Sequence, residues 1–94
     1  MKDKITEEKL EKYFKVTSKA LEKAKESANR TKLVNERKDI VDMVERYVKD
    51  AFYFKSKDDY VNAFAALNYA HGWLDLAARI GIFDVHDSTL FTVD

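Results

Sequence analysis

Residues 60–80 read YVNAFAALNYAHGWLDLAARI, and this stretch decides the fold. Arranged as a helix at about 100° per residue, it is apolar at nearly every position outside one narrow polar strip. The strip consists of Asn68, Gly72, Asp75 and Arg79, with His71 at its edge. A helix that is apolar almost all round is covered by more than two neighbours. We therefore expect cover from two other helices and, beyond them, from the C-terminal tail, a second copy or another protein.

Capping residues at the ends of this helix, and two further series of apolar residues at helical spacing (seams), predict the rest of the fold. Asp58 or Asp59 is placed to cap the third helix, and Gly81 follows its end, where a left-handed residue is common. Upstream, apolar or small residues recur at helical spacing, first from Leu10 to Ala28 and again from Leu33 to Phe54. Short loops make consecutive helices run in opposite directions. The sequence predicts an all-α, antiparallel three-helix bundle with helices near 6–28, 32–56 and 59–80.

The segment after Gly81 has no helical seam. Phe83, Val85, Phe91 and Val93 occupy alternating positions, which favours an extended C-terminal tail that lies over the bundle. A chain of 94 residues has room for one core. Residues 1–94 are therefore expected to form a single helical-bundle domain.

Composition excludes several classes of protein. The chain has no cysteine, which excludes disulfides and thiolate metal sites. No run of about 18 apolar residues is present to span a membrane, and the charged start Met-Lys-Asp-Lys is unlike a signal peptide. We expect a cytoplasmic protein that has no membrane partner.

The charges balance overall but are divided unevenly. Residues 1–57 hold 16 Lys and Arg against 11 Asp and Glu, whereas residues 58–94 hold 1 against 6. A basic half suggests nucleic acid or an acidic partner. Here, however, the basic residues alternate with acids at helical spacing, and no basic cluster is interleaved with aromatic residues. We interpret the charges as solvated helix faces in preference to a phosphate-binding surface.

The polar strip of the third helix is the candidate functional patch: Asn68, His71, Gly72, Asp75 and Arg79. His71 and Asp75 are spaced to interact and could form an oriented base, but we favour a histidine satisfied within the bundle because no nucleophile stands beside them. Asp75 and Arg79 have the spacing of a stabilising ion pair. Glycine inside a helix costs about 1 kcal/mol relative to alanine. We interpret Gly72 as the close approach of a neighbouring helix or of the surroundings of Trp73, in preference to a ligand or partner.

A metal site could be assembled on paper from Asp50, His71 and Asp75. Two histidines without a cysteine match no recognised ligand spacing. The sequence therefore predicts no metal, no cofactor and no catalytic residue.

Three runs carry a resemblance to a known family: Asp-Ala-Phe-Tyr-Phe (50–54), Asp-Tyr-Val-Asn-Ala-Phe (59–64) and Tyr-Ala-His-Gly-Trp-Leu-Asp (69–75). They resemble the archaeal family known as domain of unknown function 357, and the heptapeptide at 69–75 is the specific part. The likeness covers most of the chain and is least distinctive in the first helix. It implies a short helical bundle from an archaeal cytoplasm, with no assigned activity.

A looser likeness links the chain to helical domains that accompany nucleotidyltransferases and include toxin ribonucleases. These share a Tyr-x-x-Ala-type helix, and the ribonucleases place an Arg and a His four to six residues apart. Arg79 and His86 have that spacing here. Gly81 should end the helix between them, so the pair would not share a rigid face.

Two functions remain open on this sequence. The surplus apolar surface of the third helix favours a protein-interaction or self-assembly module, with a protein partner or a second copy and no activity of its own. The alternative is an accessory domain that binds nucleotide or RNA through His71, Asp75 and Arg79.

Overall fold

The computed structural model describes residues 5–92, and within that range the chain forms three helices and no strand. Helix α1 spans Glu7–Glu26, α2 spans Val34–Ser56 and α3 spans Tyr60–Arg79. The predicted all-α, three-helix fold is confirmed, and the observed helix ends lie within two residues of the predicted bounds. None of these helices is long and apolar enough to cross a membrane.

Local signals in the sequence set the ends of the helices. The Thr6 hydroxyl accepts a hydrogen bond from the amide of Lys9, and the Asp59 carboxylate accepts one from the amide of Asn62, so both helix starts are capped. Gly81 adopts a φ of +90° just after α3. This is the left-handed conformation that glycine adopts without strain at the end of a helix.

Two charged contacts join α1 and α2, and the first of them connects opposite ends, as in an antiparallel pair. Lys55, near the end of α2, donates a hydrogen bond to Glu11, near the start of α1. This contact lowers the pKa of Glu11 and raises the pKa of Lys55, because each charge stabilises the other. Lys25, near the end of α1, pairs with Glu45 of α2 at 3.3 Å.

Helix α3 packs along both other helices. Tyr13 of α1 meets Phe64 edge to face at 4.7 Å between ring centres, and Tyr47 of α2 meets Tyr69 at the same distance. The contact faces of the helices share several fully buried alanines, which let the backbones come close: Ala20, Ala24, Ala51, Ala63 and Ala70. Leu67 and Leu74 are fully buried in this core.

The tail covers the bundle but is not extended throughout. A turn at its far end is closed by the amides of Leu90 and Phe91, which both donate to the carbonyl of Asp87. The tail buries two adjacent pairs instead of only alternate residues: Ile82 with Phe83, whose amides both donate to the carbonyl of Ala77 at the end of α3, and Leu90 with Phe91 at the turn. Val85 is half-buried, and Val93 lies outside the described residues.

Arg37 interrupts the apolar seam of α2 and forms hydrogen bonds that link α2 to the end of α1 and to the tail. Its guanidinium donates to the carbonyls of Ala24 and Ser27 at the end of α1 and to that of Ile82 after α3. It also lies 5.0 Å from the centre of the Phe83 ring. A cation beside the last carbonyls of a helix is favourable, because the negative end of the helix dipole lies there. Arg37 thus holds the tail against α1 and α2 at the point where α3 ends.

Candidate functional site

The five residues of the candidate patch lie on two sides of α3. His71 and Asp75 are half-buried and face the tail. Asn68, Gly72 and Arg79 are exposed. The structure therefore divides the polar strip into a half that binds the tail and a half that faces solvent.

His71 connects α1, α3 and the tail. Its Nε2 lies 2.7 Å from the carbonyl oxygen of Leu90, so this nitrogen carries a proton and donates it. Its Nδ1 lies 3.2 Å from the hydroxyl of Thr17, a residue of α1 that is only 1% exposed. In the neutral ring the Thr17 hydroxyl donates to Nδ1. Both ring nitrogens are therefore occupied within the chain.

Asp75 holds the end of the described tail. Its carboxylate accepts hydrogen bonds from the amide of Thr92 at 2.8 Å and from the Thr92 hydroxyl at 3.2 Å. The Nε2 of His71 lies 3.7 Å from the same carboxylate. Among the described residues, Asp75 forms no ion pair with Arg79, so that prediction is wrong. The Asp75 carboxylate points to Thr92 of the tail instead.

This arrangement holds the tail against α3. The nitrogens of His71 and the oxygens of Asp75 all have partners in the chain, as predicted for a histidine satisfied within the bundle. Among residues 5–92 no group of three or more His, Asp and Glu could hold a metal. An open groove lies beside the pair, lined by Val16, Arg79 and residues 88–92 as well.

The pair Arg79 and His86 shares no helix face. Arg79 is the last residue of α3, and Gly81 turns the chain away before His86. The His86 ring lies 2.9 Å from the Asp84 carboxylate. The ribonuclease-like spacing in the sequence therefore falls on two different segments.

The close approach predicted at Gly72 is absent. A Cβ atom built on Gly72 would meet no atom within 4 Å. Within residues 5–92 the prediction is wrong, because position 72 lies on the exposed side of α3 and no described segment covers it.

The exposed side of α3 carries a continuous surface, which we call the outer face: Val61, Ala65, Asn68, Gly72, Leu76 and Arg79. The side chains of Val61 and Leu76 are 57% and 52% exposed. Tyr69 and Ile80 flank this face and are about half exposed as well. The Tyr69 ring packs against Tyr47, so one edge of the outer face continues onto α2. The ring centre of Tyr69 also lies 6.3 Å from that of Trp73.

Sequence reasoning missed the partners of His71 and Asp75. Thr17 gave a signal that could have been used, since it is a hydroxyl in the middle of an apolar seam and needs a buried partner. Leu90 and Thr92 gave none, because backbone groups of a tail contact a distant helix only once the tail is placed.

Comparison with known proteins gives one match. A family model described as "Protein of unknown function (DUF357)" matches residues 12–83. No curated protein and no solved structure matches. The matched range includes all of α2 and α3 and ends before Leu90 and Thr92, so it contains His71 and Asp75 without their tail partners.

Proposed function

We propose that this chain, which belongs to the DUF357 family of proteins of unknown function, is a protein-interaction or self-assembly module with no catalytic activity of its own. The observation that carries the proposal is the exposure of bulky apolar side chains on the outer face of α3. Val61 and Leu76 remain more than half exposed on the most apolar helix of the chain. Covering such a surface is favourable, by about 25 cal/mol for each Å² of apolar area removed from water.

The grouping of these residues matters more than the exposure of each one. Single apolar residues on a protein surface are ordinary, whereas a contiguous apolar patch marks an interaction site. Along the outer face the first charged side chain after Val61 is Arg79, at the far end. A scarcity of charges and the presence of exposed aromatic residues such as Tyr69 are typical of interfaces.

The alternative, an RNA- or nucleotide-binding domain, has less support. Several basic residues of the first half are paired with acids, as in Lys25 with Glu45 and Arg30 with Asp84. Of the residues expected to contact phosphate, His71 and Asp75 are occupied by the tail, and this leaves Arg79 alone. A phosphate-binding surface needs several cations that can contact the backbone together.

Leu76→Asp tests the proposal, with Val34→Asp as its control. Both changes place a carboxylate at an exposed apolar position of a helix, but Val34 begins α2 and borders a groove with Lys25 of α1. Association is measured by sedimentation of the purified chain and by capture of binding proteins from an extract of the source cells. We expect Leu76→Asp to abolish association in at least one assay and Val34→Asp to preserve it.

Two results would overturn the proposal. One is the absence of any association that depends on Leu76 in both assays. The other is tight RNA binding that weakens steeply with salt and survives Leu76→Asp, because this is the behaviour of a phosphate-binding protein.

A further inference from the structure

We infer that the partner of the outer face is a second copy of this chain, packed with its α3 antiparallel to the first. The inference rests on the proposed function and adds the identity and register of the partner. Three features of the outer face support it: its spacing, its small residues and its charges.

The spacing makes the outer face self-complementary. Its residues follow one another at intervals of three or four, so they form one stripe along α3. When two copies of α3 overlap fully in opposite directions, Val61 lies opposite Leu76 of the second copy and Ala65 lies opposite Gly72. Asn68 then lies beside the twofold axis, next to Asn68 of the second copy. A side-chain amide both donates and accepts, so two copies of Asn68 can pair with each other.

The small residues let the two helices come close. Gly72 has open space around its Cα within the chain, although glycine costs about 1 kcal/mol in a helix relative to alanine. Nothing inside residues 5–92 uses that open space. In the antiparallel register Gly72 faces Ala65, so the smallest side chains of the outer face meet each other and the bulky ones pack on either side.

The charges favour the antiparallel direction over the parallel one. Arg79 is the only Lys or Arg after residue 57, and it lies at one end of α3. Asp58 is exposed at the other end, while Lys57 is directed to the ring of Tyr53 on α2. An antiparallel pair places Arg79 of each copy near Asp58 of the other. A parallel pair would bring the two Arg79 side chains together, and like charges repel.

The size of the contact sets the expected strength. One helix face with its flanking Tyr69 and Ile80 is a small interface, at the low end of those that hold stable complexes. We therefore expect a dimer that dissociates in the micromolar range. Each contact between the two outer faces, such as Val61 with Leu76, occurs twice because of the twofold axis. The two faces therefore cover each other, and the assembly closes at two copies.

Cysteine cross-linking tests the register directly, because the chain has no cysteine of its own. A disulfide needs two Cα atoms within about 7 Å. Under mild oxidation Asn68→Cys should form a covalent dimer by itself. Ala65→Cys and Gly72→Cys should cross-link efficiently only when the two variants are mixed. Ser18→Cys, at an exposed position of α1, is the control and should stay monomeric on non-reducing gels.

Sedimentation of Leu76→Asp gives the second measurement. We expect its dimer dissociation constant to rise about tenfold or more, with helicity unchanged by circular dichroism and with Val34→Asp unaffected. Cross-linking of Ala65→Cys or Gly72→Cys with itself would overturn the inference, since it indicates a parallel pair. A dimer insensitive to Leu76→Asp would overturn it as well, because the copies would then meet elsewhere.

A chain that stays monomeric would also overturn the inference, and the capture experiment then decides whether the proposed function survives. If an extract protein binds the monomer in a way that depends on Leu76, the interaction role stands and only the second copy is wrong. If nothing binds, both fail.

Discussion

The Nε2 atom of His71 lies 2.7 Å from the carbonyl oxygen of Leu90, and this hydrogen bond ties the middle of α3 to the far turn of the tail. The same ring contacts Thr17 of α1 through its other nitrogen. The most distinctive polar side chain of the heptapeptide therefore joins three segments that are far apart in sequence. A histidine suits this position because its two nitrogens point in different directions and can serve as donor and acceptor at once.

Replacing His71 by Phe should loosen the tail without unfolding the bundle. The substitution keeps a ring of similar shape but leaves the Leu90 carbonyl and the Thr17 hydroxyl without this partner, a loss of about 1–3 kcal/mol. We expect faster hydrogen exchange at the amides of Phe91 and Thr92, measured by NMR, while the core of α3 stays protected. His86→Phe is the matched control, because the His86 ring is largely exposed. Equal exchange rates in the two variants would contradict this role of His71.

Asp87 should make the turn of the tail sensitive to acid. The hydroxyl and the amide of Thr89 both donate to its carboxylate and, with Lys23 nearby, hold the pKa of Asp87 below its usual 3.8. A carboxyl group with a lowered pKa in the folded state stabilises that state above its unfolded pKa. The contribution is lost as the pH falls through the folded pKa. We therefore expect protection of the Leu90 amide to decline as the pH falls through the usual value of 3.8 and on through the lowered pKa of the folded state.

The titration of Asp87 can be followed by NMR of its side-chain carboxyl carbon. Asp87→Asn should remove the acid-dependent step at Leu90 while a carboxamide oxygen still accepts from Thr89. A carboxyl group that titrates at or above 3.8 would show that the Thr89 contacts do not persist in solution.

Arg37→Lys should destabilise the whole bundle although it preserves the charge. The guanidinium of Arg37 donates to the carbonyls of Ser27 and Ile82 at once. A lysine ammonium is a compact donor that cannot reproduce this planar geometry. We expect a loss of about 2 kcal/mol in the free energy of unfolding, measured by urea denaturation. Arg46→Lys, at an exposed position of the same helix, should be neutral. A neutral Arg37→Lys would mean that water satisfies these carbonyls equally well.

Most of the fold followed from local signals in the sequence. Apolar spacing located the three helices, and Asp59 and Gly81 located the two ends of the third, because caps act on neighbouring backbone groups. The tail was harder to predict. Its turn at Asp87 depends on a local hydrogen bond that does not show as periodicity, and this turn replaced the expected alternation of Phe83, Val85 and Phe91.

The candidate patch was predicted as one strip and occurs as two surfaces. A helical projection places His71 and Asp75 beside Asn68 and Gly72 correctly, but it does not show which side the tail covers. That depends on contacts between residues far apart in sequence, such as Asp75 with Thr92, which are separated by 17 positions. The same limit explains the error at Gly72, where an uncovered position was interpreted as a crowded one.

The two glycines should respond with opposite signs to the same substitution. At Gly72 an added methyl group meets no atom of residues 5–92 within 4 Å, so Gly72→Ala should stabilise the dilute chain by about 1 kcal/mol through helix propensity. At Gly81 the φ of +90° strains any residue with a Cβ atom, so Gly81→Ala should destabilise it by about 1–2 kcal/mol. Urea denaturation at a concentration well below the dimer dissociation constant measures both. If Gly72→Ala destabilises the dilute chain, the methyl group meets a neighbour within the monomer.

At high concentration the methyl group of Gly72→Ala would face Ala65 of the second copy and hold the helices further apart. The same variant should therefore be more stable as a monomer and associate more weakly than the wild type.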